Sequence, residues 1–197
     1  MLDLEPQRAF ARLRSFGTGE GVVATERTGL SVATVLARNN KSSELATATS
    51  RAFGVTLPDG PKWTSAEGIM FIGTGPGKWL AIREGRENFV KELADSLDGL
   101  ASVIDQSGAI GVLRLSGPAL PSTLGKGVQF DLSLPSFPAG CAAVTAIAHM
   151  GATLWKIDEA PTIDIAIARS LSDSFLNWLQ ESAALHGLHA VGFSSKA

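Results

Sequence analysis

Apolar residues recur along the chain in two registers, one with the period of a strand and one with the period of a helix. The clearest alternation runs over residues 162–168, where Ile163, Ile165 and Ile167 are interleaved with Thr162, Asp164 and Ala166. Such alternation marks a strand whose two faces meet different surroundings. Residues 30–38, 110–115, 143–148 and 153–157 are further predicted strands. Ile69-Met70-Phe71-Ile72 and Trp79-Leu80-Ala81-Ile82 flank Gly73-Thr74-Gly75-Pro76-Gly77, and two short apolar runs around a Gly/Pro cluster predict a β-hairpin.

Helical spacing appears over residues 43–53, with Leu45, Ala48, Thr49, Ala52 and Phe53 on one face, and ends at Gly54 and Pro58-Asp59-Gly60-Pro61. A second helix is predicted over 85–97, burying Phe89, Val90, Leu93, Ala94 and Leu97 and exposing Arg86, Glu87, Lys91 and Asp95. Ser116-Gly117-Pro118 predicts a helix start, since the missing proline N–H costs nothing in a first turn. Ser170 with Asp173 three residues on has a capping-box pattern. It opens a last helix whose buried stripe is Leu171, Phe175, Trp178, Leu179 and Ser182.

Each half therefore reads strand–helix–hairpin–helix, with an extra strand in the second. This predicts an α+β fold of duplicated split βαβ (ferredoxin-like) halves, antiparallel sheets covered by helices. The expected boundaries are an N-terminal arm (1–29), a compact α+β unit (30–186) and a C-terminal tail (187–197). Within the unit two pseudo-repeats, about 30–99 and 108–186, meet near 100–110. The arm carries Leu4, Phe10, Leu13 and Phe16 among Arg8, Arg12 and Arg14, an amphipathic composition open to docking or to fraying.

Composition narrows the class. The chain has 197 residues, enough to bury a core without a disulfide or metal. Hydrophobic residues make up 45% and charged residues only 18%, against a usual charged share of about 25%. The net charge of −2 and the lack of a basic stripe exclude a nucleic-acid footprint. The single cysteine, Cys141, fits a reducing compartment. Met1-Leu2-Asp3-Leu4-Glu5-Pro6 lacks the basic and apolar regions of a signal peptide, and residues 139–155 are too interrupted for a membrane helix. A cytoplasmic location is expected.

Candidate chemistry is sparse. A dinucleotide fingerprint needs G-x-G-x-x-G between strand and helix. The segment at Gly73–Gly77 has neither that spacing nor a following helix, and reads as a turn. His149 stands alone in a strand, while His186 and His189 could share a helical face but lack a third ligand. Cys141 and His149 could be cast as nucleophile and base, but no nearby charge would activate Cys141. Ser116 lies outside a nucleophile elbow and suits a helix cap. Asp158 and Glu159 read as turn acids, whereas Asp164, set among isoleucines, could point into a cleft without a general-acid partner. No catalytic, cofactor-binding or metal-ligating residue is assigned.

Residues 132–155 contain no charged side chain. Such a stretch is either interior to a large core or covered by another chain, because interface cores are depleted of charge. An interface reading makes Phe137, in the proline-flanked run Pro135-Ser136-Phe137-Pro138, the expected aromatic anchor.

Several segments resemble, in collinear order, those of the sarcosine oxidase gamma subunit family. They are Gly75-Pro76-Gly77-Lys78-Trp79-Leu80, Leu113-Arg114-Leu115-Ser116-Gly117-Pro118, Lys126-Gly127 with Asp131-Leu132, and Phe137-Pro138-Ala139-Gly140. Ala160-Pro161-Thr162-Ile163-Asp164 and Arg169-Ser170-Leu171 with Phe175 and Trp178-Leu179 continue the series. The resemblance implies a non-catalytic gamma subunit in an enzyme of alpha, beta, gamma and delta chains. That enzyme demethylates sarcosine oxidatively to glycine, yielding hydrogen peroxide and, with tetrahydrofolate, methylenetetrahydrofolate. The resemblance places FAD, FMN, NAD and tetrahydrofolate on partner chains and none here. It also implies likeness to the folate-binding domains of aminomethyltransferases. The alternatives are a stand-alone folate-binding or one-carbon-transfer protein of that fold, and a self-associating adaptor.

Overall fold

The computed structural model describes residues 8–85 and 88–191. Leu4, Arg86, Glu87 and most of the expected tail lie outside the described residues. Strand β1 (Val22–Arg27) precedes two successive units. The first comprises β2 (Leu30–Ala37), α1 (Ser42–Phe53), β3 (Trp63–Ala66), β4 (Ile69–Gly75), β5 (Lys78–Glu84), α2 (Phe89–Ser96) and β6 (Ala101–Asp105). The second comprises β7 (Ile110–Ser116), α3 (Leu120–Leu124), β8 (Ala142–Ile147), β9 (Met150–Lys156), β10 (Ile163–Ala168), α4 (Ser172–Ala183) and β11 (Leu188–Val191).

The two units share one strand order. The first forms a five-stranded sheet ordered β3-β4-β5-β2-β6, and the second a six-stranded sheet ordered β8-β9-β10-β7-β1-β11. Element for element these orders coincide, except that β1 is inserted before the last strand of the second sheet. The split βαβ duplication read from the sequence is therefore present, with more strands than the pattern announced. β3 was missed because Trp-Thr-Ser-Ala has no sustained alternation, and β6 and β11 because each is short. Val22–Arg27, expected within the arm, is an interior strand between β7 and β11. The arm before it is docked: Phe10 and Leu13 are fully buried against α4 and the six-stranded sheet.

The sheets pack face to face, and helices cover their outer faces. Leu45, Phe53, Phe89 and Leu93 of α1 and α2 bury against Val35, Phe71 and Ala81. Phe175, Leu179 and Ala183 of α4, with Leu120 and Leu124 of α3, bury against Leu113, Leu115, Ile163 and Ile165. Between the sheets, Val32, Ile72, Leu80 and Ile82 meet Val112, Ala142, Trp155 and Ala166. The sheet edges are also stitched together: Trp63 N donates to Gly140 O and Ala142 N to Pro61 O, at 2.9 and 2.8 Å.

Three helix starts differ from the expected ones. α2 begins at Phe89 and not at Gly85, which follows β5 directly with a φ of 70°. Ser116 ends β7, and the proline in the first turn of α3 is Pro121, not Pro118. Ser170 lies in a 3-10 turn before α4, and no side-chain cap forms there. Asp173 instead faces Arg12 of the docked arm at 3.2 Å.

The uncharged stretch is divided: its loop at 133–136, Val144 and His149 are exposed, while most of its large side chains elsewhere are interior. Leu132, Phe137, Ala142, Ile147, Ala152, Leu154 and Trp155 are buried, and β8 and β9 have a packed layer on each face. Phe137 is thus a core residue: it is 4% exposed and meets Phe130 edge-on, with centroids 5.2 Å apart. Its expected role as an interface anchor is overturned by this burial. Phe137→Ala should destabilise the chain by about 3–5 kcal/mol in urea denaturation. A loss below about 1 kcal/mol would place this ring at a surface.

Candidate functional site

β7 and β10 run antiparallel with Arg114 directly opposite Asp164, and β1 flanks β7 on its other side. Alternation along these strands sends Leu113, Leu115, Ile163 and Ile165 toward the helices. It therefore sends Arg27, Arg114 and Asp164 into the layer between the sheets. Asp164 is fully buried. Arg114 holds it bidentately, Nε donating to Oδ1 at 2.7 Å and Nη2 to Oδ2 at 2.9 Å. Arg27 Nη1 donates to Oδ2 at 3.1 Å, and its Nη2 reaches Glu84 Oε2 of β5 at 3.2 Å.

Removing a carboxylate from water costs several kcal/mol unless opposite charge and hydrogen bonds compensate. Here two guanidiniums supply both. The hydrogen bonds that Arg114 donates to Asp164 raise the Arg114 pKa, outweighing the opposing effect of burial. Because Arg27 touches Asp164 in one sheet and Glu84 in the other, the cluster clamps the two layers together. Both oxygens of Asp164 face cationic donors, so the carboxylate is engaged within the protein. Asp164 does point into a cleft, as alternation suggested, of about 430 Å³ between the sheets and bordered by Arg27, Met70, Ile82, Glu84 and Trp155.

The other candidates are scattered. His149 sits exposed in the two-residue β8–β9 turn, where Ala148 and His149 have φ of 47° and 67°. Such positive values at both central residues fit a type I′ hairpin. Cys141 precedes β8, so the length of that strand separates it from His149. His186 lies in the turn after α4 with Ser122 Oγ 3.4 Å from its Nε2, while His189 is exposed on β11. These two histidines therefore do not share a helical face. Asp158 and Glu159 are exposed between β9 and β10. Gly73–Gly77 spans the end of β4 and the turn into β5, with no helix start to offer amides to a phosphate. Among the described residues no three His, Cys, Asp or Glu side chains are grouped to hold a metal. No described helix is long and apolar enough to cross a membrane.

Arg27 and Arg114 were missed as site residues. A signal existed for Arg114: one cation inside the apolar run Val112-Leu113-Arg114-Leu115 needs a buried counter-charge, and Asp164 is the complementary anomaly in β10. Lys126, quoted only for resemblance, donates through Nζ to Ser182 O near the C-terminus of α4, where a cation complements the helix dipole.

A duplicated α+β sandwich with a neutralised inter-sheet cluster defines the class of this protein. In shape it is similar to glycine cleavage system aminomethyltransferase T from Bartonella henselae, with a TM-score of 0.62 and 10% identity, over 87% of this chain and 48% of that one. It is more similar to a chain of the heterotetrameric sarcosine oxidase from Corynebacterium sp. U-96, with a TM-score of 0.82 and 23% identity, over 92% of this chain and 96% of that one.

The chain belongs to the sarcosine oxidase gamma subunit family, whose model matches residues 38–185. Sarcosine oxidase subunit gamma of Corynebacterium sp. (strain P-1) is 33% identical over 135 residues, 67% of this chain and 66% of the relative. Its counterpart from Arthrobacter sp. is 36% identical over 111 residues, 55% of each. The matched region thus spans slightly under two thirds of the first relative and about half of the second.

Removal of one partner from a buried charge cluster leaves the others desolvated and unpaired. Asp164→Ala should therefore cost about 3–5 kcal/mol in chemical denaturation. Glu84→Ala, at a side chain 68% exposed, should cost under about 1 kcal/mol. Equal losses for the two variants would contradict the clamp.

Proposed function

We propose that this chain is the non-catalytic gamma subunit of a cytoplasmic heterotetrameric sarcosine oxidase and supports assembly with alpha, beta and delta partners. In this reading the partners hold FAD, FMN, NAD and tetrahydrofolate. The whole complex demethylates sarcosine to glycine, forming hydrogen peroxide and methylenetetrahydrofolate. Family membership supports the assignment. The pairing of Asp164 with two arginines supports a structural role for that acid, although a buried acid in a pocket is the feature that would favour the alternative of a stand-alone folate-binding or one-carbon-transfer protein.

The observation that carries the assembly role is a nearly charge-free depression where the inter-sheet layer opens beside β8. Two adjoining hollows, about 390 and 470 Å³, share Thr74 and Val144, and the charged side chains on their walls are Lys78 and Asp59. Val144 is 59% exposed at their junction, on the same face of β8 as buried Ala142. An apolar floor with a sparse polar rim suits a partner subunit, since such cores are depleted of charge. β8 itself is not open for strand addition along its whole edge. Pro61 engages its start, and Gly127 O accepts from Ala148 N just past its end. Contact is therefore made through side chains around Val144.

Val144→Asp should leave the circular dichroism spectrum and denaturation midpoint of the lone chain nearly unchanged. In co-expression it should lower recovery of flavin-containing partners at least about tenfold, the effect of about 1.4 kcal/mol at an interface. Unchanged recovery would move the contact elsewhere. The purified lone chain should show no flavin absorbance; a stoichiometric bound flavin would overturn the non-catalytic reading.

A further inference from the structure

The indole of Trp155 sets the cleft beside Asp164 apart. Trp155 stands opposite Asp164 in the β9–β10 pairing and is 1% exposed among Val32, Ile82 and Val112. Its Nε1 is buried and has no hydrogen-bond partner in the structure. Two other tryptophans show the normal solution: Trp63 Nε1 donates to Lys156 O at 2.7 Å and Trp79 Nε1 to Pro58 O at 2.9 Å. A buried donor left unpaired costs about 1–3 kcal/mol. Trp155 borders the cleft, and the cost is removed once an acceptor entering there displaces the packing over this N–H.

The remaining lining defines what that acceptor belongs to. Arg27, 24% exposed, uses one N–H on Asp164 and one on Glu84, so three of the five guanidinium donors remain. The acids bordering the cleft do not all repel an anion equally. Arg27 and Arg114 together balance Asp164 and Glu84, and Glu67 lies exposed in the β3–β4 turn at the mouth. The walls beyond are apolar, formed by Leu30, Met70 and Ile82. The space, about 430 Å³, is that of a small-molecule site.

We propose that this cleft binds a small aliphatic carboxylate. Its oxygens accept from Trp155 Nε1 and from Arg27, and its hydrocarbon part lies against Met70 and Ile82. Nothing in this proposal rests on the subunit assignment, and the cleft lies at the other end of β5 from the depression at Val144.

The test is a titration of the full-length 15N-labelled chain with sodium isobutyrate, following the tryptophan indole N–H resonances. Sodium chloride at matched ionic strength is the control. The Trp155 resonance is assigned by its loss in Trp155→Phe or, if that variant does not fold, by elimination with single Phe replacements of Trp63, Trp79 and Trp178. The expected result is a saturable downfield shift of the Trp155 resonance alone, absent with chloride. Ser65, paired with Met70 across β3 and β4, shares its face toward the cleft. Ser65→Phe should weaken the isobutyrate response at least about tenfold while the Trp79 and Trp178 resonances stay in place. The proposal is overturned by the absence of a saturable shift, by an equal shift with chloride, or by a response that survives Ser65→Phe unchanged.

Discussion

Both sheets of this protein bury both faces, and most of its other features follow from that constraint. A sheet with helices on one side and another sheet on the other has no solvated face on which to place charge. The low charged content and the lack of charge over residues 142–155 in β8 and β9 are consequences of it. β10 shows the constraint most directly, since Ile163–Ile167 are all buried although the strand alternates. Asp164 is the exception, and it persists because Arg27 and Arg114 enter the same layer from neighbouring strands. The carboxylate, two guanidiniums and Glu84 thereby link strands β1, β7, β10 and β5 across the interface between sheets.

Duplication explains how the constraint is met twice. Each unit supplies a first strand, a helix, a three-strand meander, a second helix and a returning strand, so each helix pair covers its own sheet. β1 breaks the symmetry by entering between β7 and β11. Its insertion demands close backbone approach near the chain's two ends. Gly187 has φ +78°, and a Cβ there would lie 2.0 Å from Gly19 O. Glycine is therefore the residue that fits, and the docked arm carrying Phe10 and Leu13 completes the outer layer.

The layer between the sheets opens at two places, at opposite ends of β5. Near Lys78 it opens on the depression floored by Val144, and near Glu84 on the cleft containing Asp164 and Trp155. One mouth is nearly free of charge and exposes an aliphatic side chain. The other holds compensated charge and a buried N–H donor. The first suits a protein surface and the second a small polar group, although the same two sheets build both.

Local pattern by itself determined the central strands, the helix at 43–53 and the existence of a last helix after Ser170, the glycine turn at 73–77 and the duplicated order. These elements depend on periodicity and turn chemistry that neighbouring residues carry. Collinear segments also carried the family. Tertiary structure alone decided which of two readings applied to Phe137, because it looks the same in sequence whether a partner or its own core covers it. It likewise placed Val22–Arg27 inside a sheet, since a strand's neighbours come from distant chain, here residues 112–116 and 188–191. Pairing of Asp164 with Arg114 and Arg27, 50 and 137 residues away, is a fact of the same kind. A buried charge announces that it needs a partner, but only the packing of strands determines which one it finds.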